Sequence, residues 1–455
     1  MSDQPTDDEL AAALRALRIE QPTAGVNKLH ASLLAAHTTW LVSQKRTHKI
    51  LQREQLLLGT NTGSSKPGAK SNAPEYRLNQ LLDVSKLSKK IDVKDFGKPK
   101  GKGIVLTEPV KQGETVWKED PFIFAATWEV LDHVHRGNAC AHCISQIKPG
   151  SSLIMTCPGS RLPDAPRPCS VRFCSRLCLQ RAVTHPLICT AQNPSIIPLL
   201  LLSRELQWQA LLALATCAAR IVLATDELDQ REAFEIYQSL AYVEPGSALW
   251  KQIIRPTEAQ VQKGYDVYKA ALVDTKDEQS ALLRKTLKTA VPLPENMHKE
   301  LFTPEGYRRG IARMNLNLEQ NGGLHALHSH LNHSCDPNVS AKHVEQRTAL
   351  SRLSVISHRD LEAGEELTIS YVDPSHPVHA RRLNLRAWGI PHCDCKQCTD
   401  QEKELKDKGE WVDETTANST AVPAAVAPTA DGSDPMPQKD LDNLEGEIKQ
   451  HLGFF

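Results

Sequence analysis

"HSHLNHSCDPNVS", residues 328–340, combines three histidines, two asparagines and one cysteine in thirteen residues. A polar stretch of this kind suits a metal site, a catalytic site, or a surface loop without a chemical role. Its Cys-Asp-Pro-Asn run is typical of a turn, because Asp, Pro and Asn favour turn backbone conformations. The rest of the chain has to decide between the three interpretations.

Composition and charge exclude several classes of protein. The 455 residues carry no net charge, so no overall positive field indicates a nucleic-acid partner. The first residues, "MSDQPTDDEL", lack the charged-then-apolar pattern of a secretion signal. The most apolar stretch, residues 195–224, contains Arg204, Glu205 and Arg220, which favours a buried helix or helix pair over a membrane span. We expect a monomer with no nucleic-acid or membrane partner.

The twelve cysteines are grouped along the chain. Seven lie between residues 140 and 189, three lie between 393 and 398, and Cys217 and Cys335 stand apart. Without an export signal a reducing compartment is expected, where clustered thiols bind zinc more often than they form disulfides. The grouping therefore indicates zinc sites.

Two distant segments are predicted to form a β core. "GKGIVLTEPVKQGETVWKE" (101–119) and "SRLSVISHRDLEAGEELTISYVD" (351–373) each have the pattern of two short strands around a glycine turn. In the second segment Leu367, Ile369 and Tyr371 alternate on one face. A cysteine-rich block and a long helical region separate the two segments. Strands and helices thus come in blocks, which predicts the α+β class.

The cysteine block supplies enough ligands for two tetrahedral zinc ions. The ligands are Cys140, Cys143, Cys157, Cys169, Cys174, Cys178, His185 and Cys189. Four protein ligands leave no open position on the metal, so this zinc is expected to be structural. The alternative is a set of reduced structural cysteines, and His142 is interpreted as a bystander.

A third zinc site is predicted near the C-terminal end of the described motifs. "CDCKQC" provides Cys393, Cys395 and Cys398, which is one ligand short of a tetrahedral site, and Cys335 is the obvious fourth. Three zinc ions are therefore expected. His328 and His330 have no ligand set to complete and are interpreted as packing or supporting residues, and Cys217 as a core residue.

Four motifs in order, "KGKGI", "NHSCDPN", "GEELTISY" and "CDCKQC", make residues 90–400 resemble a SET-domain lysine methyltransferase. "CSVRFCSRLC" followed by "HPLIC" resembles a MYND zinc finger. A SET domain that contains a MYND finger resembles the SMYD type. The stretch "GGLHALHSHLNHSCDPN" (322–338) and the N-terminal helical extension are most similar to the fungal fifth SET-domain histone lysine methyltransferases. The resemblance implies an antiparallel β-rich SET core with an inserted finger, a helical insertion and a zinc-closed post-SET cap.

The MYND resemblance also implies how the ligands divide. Cys140, Cys143, Cys174 and Cys178 would hold one zinc, and Cys157, Cys169, His185 and Cys189 the other. The chain departs from the family in "CPGSRLPDAPRPC" (157–169), where eleven residues lie between two ligands that usually have two residues between them. In the post-SET cap the resemblance implies that Cys335 shares zinc with the three later cysteines.

The SET resemblance implies methyl transfer from S-adenosylmethionine to a protein lysine. Tyr371 would be the catalytic residue that orients the amine, although alone it could equally be a core aromatic. A lone Gly-x-Gly could be a simple turn, and Asn317 is an alternative to Asn315. The residues that the resemblance places at the cofactor are Lys100, Gly101, Lys102, Gly103, Asn315, Asn332, His333 and Tyr371.

The substrate implied is a lysine-containing protein, with the histone H-four tail favoured and one methyl added. The location implied is the nucleus, the cytoplasm or both. One alternative is an inactive SET–MYND protein whose finger binds partner peptides. Another is a zinc-finger nucleic-acid binder, which the neutral charge argues against.

The predicted boundaries follow the changes in sequence pattern. They are N-terminal helices 1–60, linker 61–90, SET strands 91–139, MYND-like finger 140–189, helical insertion 190–312, SET catalytic core 313–375, post-SET cap 376–400, and a partly disordered tail 401–455.

Overall fold

The computed structural model describes residues 4–21, 26–53, 74–98, 100–162, 168–273, 280–344 and 350–411. The chain divides into two compact units between residues 70 and 71, and each unit is described by itself. The predicted tail beyond residue 411 and the first part of the predicted linker, 61–73, lie outside the described residues.

The described residues of the first unit form three helices. They are α1 (Asp7–Glu20), α2 (Val26–Ala36) and α3 (Gln44–Arg53). Helix α1 begins with a capping box in which Thr6 and Glu9 bond to each other's backbone N–H groups. The three helices bury a small apolar core formed by Leu10, Leu14, Leu29, Leu33, Ile50 and Leu51.

In the second unit, eleven short strands lie within the described residues. They are β1 (Ile91–Asp95), β2 (Lys102–Leu106), β3 (Thr115–Glu119), β4 (Ile123–Phe124), β5 (Met155–Thr156), β6 (Arg172–Phe173), β7 (Gly323–Leu324), β8 (Asn332–His333), β9 (Val339–Lys342), β10 (Leu353–Ser357) and β11 (Glu366–Ile369). Both segments contain the two predicted strands, β2 and β3 in the first and β10 and β11 in the second, although the two strands of each segment belong to different sheets.

The strands form two main sheets, and each contains chain from both ends of the second unit. One has the order β1-β2-β11-β8, and the other has the order β3-β10-β9. All neighbours are antiparallel except β11 and β8, which run parallel. The prediction of a β core built from two distant segments is therefore confirmed. Its buried face is apolar and includes Ile104, Val116, Val355 and Leu367.

Thirteen helices of the described residues complete this unit. They are α4 (Trp128–His135), α5 (Arg176–Arg181), α6 (His185–Ile188), α7 (Ile197–Glu205), α8 (Gln209–Val222), α9 (Glu227–Ser239), α10 (Ala248–Ile253), α11 (Glu258–Leu272), α12 (Ala281–Thr289), α13 (Glu295–Phe302), α14 (Pro304–Asn317), α15 (Val378–Leu385) and α16 (Lys396–Asp407). The mixture of separate strand and helix blocks agrees with the predicted α+β class.

The apolar stretch 195–224 is a pair of helices, α7 and α8, and not a single long one. Helix α8 is buried on nearly all sides, and Cys217 lies in this core with no exposed surface. A helix hydrophobic all round is expected at the centre of a helical domain. Among the described residues, no helix combines the length and the apolar character needed to cross a membrane.

Candidate active site and metal centres

Strand β11 brings the separated motifs together. Its Glu366 and Leu367 pair with β2, and its Thr368 and Ile369 pair with β8. Each backbone ladder fixes the register of its neighbours, because a slip by one residue would turn every side chain to the other face. The "KGKGI", "NHSC" and "GEEL" motifs therefore lie side by side on three neighbouring strands of the sheet.

Asn332 lies at the centre of this junction. Its amide nitrogen donates to the backbone carbonyl of Lys102 and to Oε1 of Glu366, both at 2.9 Å. The Lys100 ammonium forms an ion pair with the same carboxylate. A Cβ atom on Gly103 would lie 2.8 Å from Asn332 Nδ2 and 2.9 Å from Glu366 Oε1. Only glycine leaves room for the Asn332 side chain at this position.

Gly101 is required for its backbone conformation. Its φ is +84°, a left-handed value that residues with a Cβ rarely adopt. The turn is closed by two backbone hydrogen bonds, from Phe96 N to the Gly101 carbonyl at 2.8 Å and from Gly101 N to the Gly97 carbonyl at 2.7 Å. The Gly-x-Gly pattern thus has two roles. Gly101 forms the turn, and Gly103 lets the backbone approach the Asn332 side chain closely.

The Lys102 side chain points into the protein. Its ammonium donates to the backbone carbonyl of Ser239 at 2.7 Å, and no charged partner is found for it among the described residues. Burial disfavours the charged form and lowers the pKa of Lys102 to about 7. Only the backbone of Lys102 therefore faces Asn332.

Replacing Lys102 with methionine is expected to remove a pH dependence of stability. The pKa of this lysine falls from 10.5 in the unfolded chain to about 7 in the folded one. Below about pH 7 the buried lysine is charged, and its cost to the free energy of unfolding is then at its maximum. This cost decreases as the pH rises from 7 towards 10.5, because the folded protein then releases a proton that the unfolded chain keeps. Urea unfolding should show the native protein gaining a few kcal/mol relative to the variant between about pH 7 and about pH 10, since a tenfold change in proton concentration corresponds to about 1.4 kcal/mol.

The control for this experiment is Lys94→Met, which removes an exposed lysine from β1. We expect its free energy of unfolding to follow the native pH dependence. A Lys102→Met protein that keeps the same pH slope as the native protein contradicts a depressed pKa at residue 102.

Tyr371 lies two residues beyond the end of β11, so it is not part of the strand in which it was predicted to alternate with Leu367 and Ile369. Its hydroxyl nevertheless points inward and donates to the backbone carbonyl of Leu331 at 2.6 Å. The ring packs against Trp388, with the ring centroids 5.0 Å apart. Desolvation raises the pKa of Tyr371, and the nearby Glu366 carboxylate raises it further, so the phenol stays protonated at neutral pH.

The His333 side chain connects Tyr371 to a cysteine cluster. Its Nδ1 accepts from the Tyr371 backbone N–H at 3.0 Å, and its Nε2 lies 3.2 Å from Cys335 Sγ. Burial lowers the pKa of His333 to about 4, so the ring is neutral. Because Nδ1 is the acceptor, the ring proton sits on Nε2 and faces the sulfur.

The two asparagines near the end of α14 use their amide groups elsewhere. Asn315 donates to the Ile311 carbonyl at 2.9 Å within its own helix. Asn317 donates to the carbonyls of Ala241 at 2.8 Å and Arg313 at 2.7 Å. The structure thus joins neither residue to Asn332 or Tyr371 by a direct hydrogen bond within the described ranges.

The cysteine block contains two groups of four possible ligands. Within each group, all ligand atoms lie within 4.8 Å of one another. They are Cys140, Cys143, Cys174 and Cys178, and Cys157, Cys169, His185 and Cys189. Individual separations, such as 3.6 Å from Cys143 Sγ to Cys174 Sγ and 3.7 Å from Cys157 Sγ to Cys189 Sγ, are near tetrahedral edges. A tetrahedron with Zn–S bonds of about 2.3 Å has edges of about 3.8 Å. Both groups therefore fit zinc.

The third group contains Cys335, Cys393, Cys395 and Cys398. Cys398 Sγ lies 3.5 Å from Cys335 Sγ. The fully buried Arg381 donates to Cys398 Sγ at 3.3 Å, which stabilises negative charge on the sulfurs. This group also fits zinc, and it joins the loop of residue 335 to the start of α16.

Three residues of the site were missed by the sequence prediction. Glu366 lies inside the quoted "GEEL" motif, but its hydrogen bond to Asn332 depends on strand pairing. Trp388 against Tyr371 and Arg381 against Cys398 arise from the packing of the chain after β11. No spacing in the sequence indicates either of them.

Comparison with known proteins relates this chain to one protein family. Residues 101–372 match the SET domain family. The chain is 28% identical over 400 residues to the protein named Histone-lysine N-methyltransferase SET5 of Mycosarcoma maydis, covering 79% of this chain and 77% of the relative. Proteins of the same name from Scheffersomyces stipitis and Yarrowia lipolytica are 27% and 26% identical, covering 88% and 92% of this chain and 82% and 87% of the relatives.

Proposed function

Since the chain belongs to the SET-domain family and is a protein-lysine methyltransferase, we propose that it methylates histone tails with S-adenosylmethionine as donor. The histone H-four tail is the preferred substrate, and one methyl group is added to each target lysine. The relatives named as histone-lysine methyltransferases support the histone as substrate class.

The observation that carries the proposal is the position of the Tyr371 hydroxyl. It reaches the Leu331 carbonyl, next to Asn332, at the edge where β2, β11 and β8 meet. Because the hydroxyl proton is used on this carbonyl, the oxygen lone pairs are left to accept a hydrogen bond from an amine. A neutral phenol at this place can orient a lysine nitrogen without adding a charge.

The remaining chemistry is a matter of positioning. S-adenosylmethionine, when bound, supplies a methyl group on a positively charged sulfur. A lysine amine has a pKa of about 10.4 in water, and it must lose a proton before it can react. Desolvation in a narrow site lowers that pKa, and holding the amine in line supplies several further orders of magnitude in rate.

The donor would be bound by the backbone and side chains around Asn332. The residues proposed for this role are Lys100, Gly101, Lys102, Gly103, Asn315, Asn332, His333 and Tyr371. The His333 ring is already bonded to Tyr371 and faces Cys335, so its backbone is the part offered to the donor. The same holds for Lys102, whose ammonium is bonded to Ser239.

Replacing Gly103 with alanine is expected to weaken donor binding about tenfold or more. The added Cβ would lie 2.8 Å from Asn332 Nδ2, so the Asn332 side chain must move. Overpacking of this kind costs about 1–3 kcal/mol, and 1.4 kcal/mol corresponds to about a factor of ten in affinity. Calorimetric titration with S-adenosylmethionine measures the effect.

Gly264→Ala is the matched control, because its Cβ would crowd Tyr307 and Trp208 in the helical region to a similar degree. This variant should lose thermal stability but keep the native Kd for S-adenosylmethionine. A Gly103→Ala protein with the native Kd would remove Gly103 and Asn332 from the donor site.

Zinc would hold the finger and the cap. We place one ion in each of the three cysteine groups, the first two in a MYND-like finger able to bind partner peptides and the third in a post-SET cap. Tetrahedral sets of cysteine with at most one histidine leave no open position, so these ions are structural.

We also propose the domain boundaries that the sequence predicts. They are helices 1–60, linker 61–90, SET strands 91–139, finger 140–189, helical insertion 190–312, catalytic core 313–375, cap 376–400 and tail 401–455. A histone substrate places the protein in the nucleus as a chromatin regulator, with a cytoplasmic pool also compatible.

The proposal is tested by incubating the full chain with labelled S-adenosylmethionine and each of the four core histones. We expect label on the H-four histone, and mass spectrometry of the product should show a mass increase of one methyl per modified lysine. Peptides of the H-four tail with single lysines replaced by arginine then locate the sites.

Three results would contradict parts of the proposal. Label on another histone overturns the substrate preference, and di- or trimethylated lysine overturns the product. If no protein in a whole-cell extract is labelled by a zinc-loaded, folded preparation, the chain acts instead as a binding module.

A further inference from the structure

Three side chains outside the cysteine groups, one of them buried and two largely so, also converge as possible metal ligands. The ligand atoms of Glu319, His325 and His328 all lie within 4.8 Å of one another. Glu319 Oε1 is 2.5 Å from His325 Nδ1 and 3.4 Å from His328 Nδ1. The side chains of Glu319, His325 and His328 are 14%, 0% and 13% exposed, so the cluster is largely shielded from solvent. One carboxylate and two imidazoles form a common zinc ligand set.

The second oxygen of Glu319 is held by His343. His343 Nε2 lies 3.1 Å from Glu319 Oε2, and its Nδ1 lies 3.1 Å from the Arg352 backbone carbonyl. Because a carbonyl can only accept, Nδ1 donates to Arg352. Nε2 contacts both Glu319 Oε2 and the Asn321 amide, and these contacts orient the carboxylate.

A second buried carboxylate adds to the charge imbalance. Glu119 is 4% exposed and accepts the backbone N–H groups of Leu327 at 2.7 Å and His328 at 3.1 Å. Within the described residues, neither Glu119 nor Glu319 forms an ion pair with a lysine or an arginine. Buried carboxylates are costly unless positive charge lies near them, and a divalent ion bound to Glu319, His325 and His328 would supply such a charge.

The His325 ring interacts with the Ser351 backbone, as metal-ligating histidines commonly do with a carbonyl.

We propose that Glu319, His325 and His328 bind a zinc ion, as a fourth metal site of this chain. Its ligands come from the chain just after α14 and from the turn that leads into Asn332. The ion would fix the start of the "NHSC" segment relative to that helix. This site goes beyond the proposed function, because none of its ligands takes part in methyl transfer.

The test compares the zinc content of full-length proteins by mass spectrometry of the metal. The double variant His325→Gln, His328→Gln is expected to hold one zinc ion fewer per chain than the native protein. The control His330→Gln changes a buried histidine of the same turn that lies outside the cluster, and it should keep the native zinc content. An equal zinc content in the double variant and the native protein overturns the site.

Crystals of the native chain give a second, independent answer if the double variant does not fold. Anomalous scattering at the zinc edge should give a peak about 2 Å from His325 Nδ1 and His328 Nδ1. Ordered side chains without a peak would show that protons alone balance Glu319. Both results concern residues 319–328 only, so they stand whether or not the chain methylates histones or fills its cysteine groups.

Discussion

Replacing Tyr371 with phenylalanine is expected to lower kcat by about 10²-fold or more, with little change in the Kd for S-adenosylmethionine. The loss of one well-placed polar group that acts in the transition state has effects of this size. The variant keeps the ring that packs against Trp388 at 5.0 Å, so the apolar contacts of the cap remain. Initial rates with labelled donor and a histone substrate measure the change.

The expected split between kcat and Kd follows from what the hydroxyl contacts. It donates to the Leu331 carbonyl, and its oxygen is left to accept from the amine of the substrate. Without it, the amine loses the group that orients its lone pair, while the backbone of residues 100–103 is unchanged. An interaction that is realised only in the transition state lowers kcat when it is removed.

Tyr265→Phe is the matched control for this variant. The Tyr265 hydroxyl also donates to a backbone carbonyl, that of Phe302 at 2.9 Å, but in the helical region. Both variants lose one such hydrogen bond, which costs about 0.5–1.5 kcal/mol of stability. Only Tyr371→Phe should lose activity. If both variants retain the native rate, Tyr371 is a core aromatic and the catalytic assignment is wrong.

The strands were predictable because their pattern is local. Alternating apolar residues around glycine turns predicted β2, β3, β10 and β11, and the pairing of distant segments followed from the need to bury their apolar faces. The same alternation also determines the direction of a lysine side chain. Lys102 shares a face of β2 with Ile104 and Leu106, both buried, so its side chain had to point inward.

Other features depend on contacts that no local pattern contains. The spacing of the cysteines indicates eight ligands in the block, but the sharing of ligands between two ions is decided by the fold. His328 was interpreted as a packing residue, because its partner Glu319 lies nine residues earlier, beyond a glycine turn. Tyr371 lies past its strand because the chain must leave β11 to reach the cap.

Replacing Cys398 with serine is expected to remove one zinc ion and to lower activity on the order of 10²-fold. Cys398 is fully buried in α16, with its sulfur 3.5 Å from that of Cys335. Among the described residues, the cap fully buries only two apolar side chains around this cluster, Val378 and Leu385. It covers six others in part: Tyr371, Val372, Trp388, Ile390, Leu405 and Trp411. A core this small needs additional stabilisation, and the binding free energy of a structural zinc ion contributes roughly 10 kcal/mol or more to folding.

Loss of that ion reaches the active site through Trp388 and His333. Trp388 packs on the Tyr371 ring, and the His333 ring bonds to the Tyr371 backbone while facing Cys335. When the cap separates, both supports are lost, and a displacement of about 1 Å at a reacting group can cost about 10²-fold in rate. Limited proteolysis should show new cleavage between residues 376 and 411, together with a zinc content lower by one.

Cys217→Ala provides the control, since Cys217 is equally buried but lies in the core of α8, outside the three cysteine groups. It should keep the native zinc content, protease resistance of the cap and methyl transfer. A Cys398→Ser protein that retains the full zinc content shows that this group holds no metal. If zinc is lost while activity persists, the cap folds without the ion, and the connection from Cys335 through His333 to Tyr371 does not control catalysis.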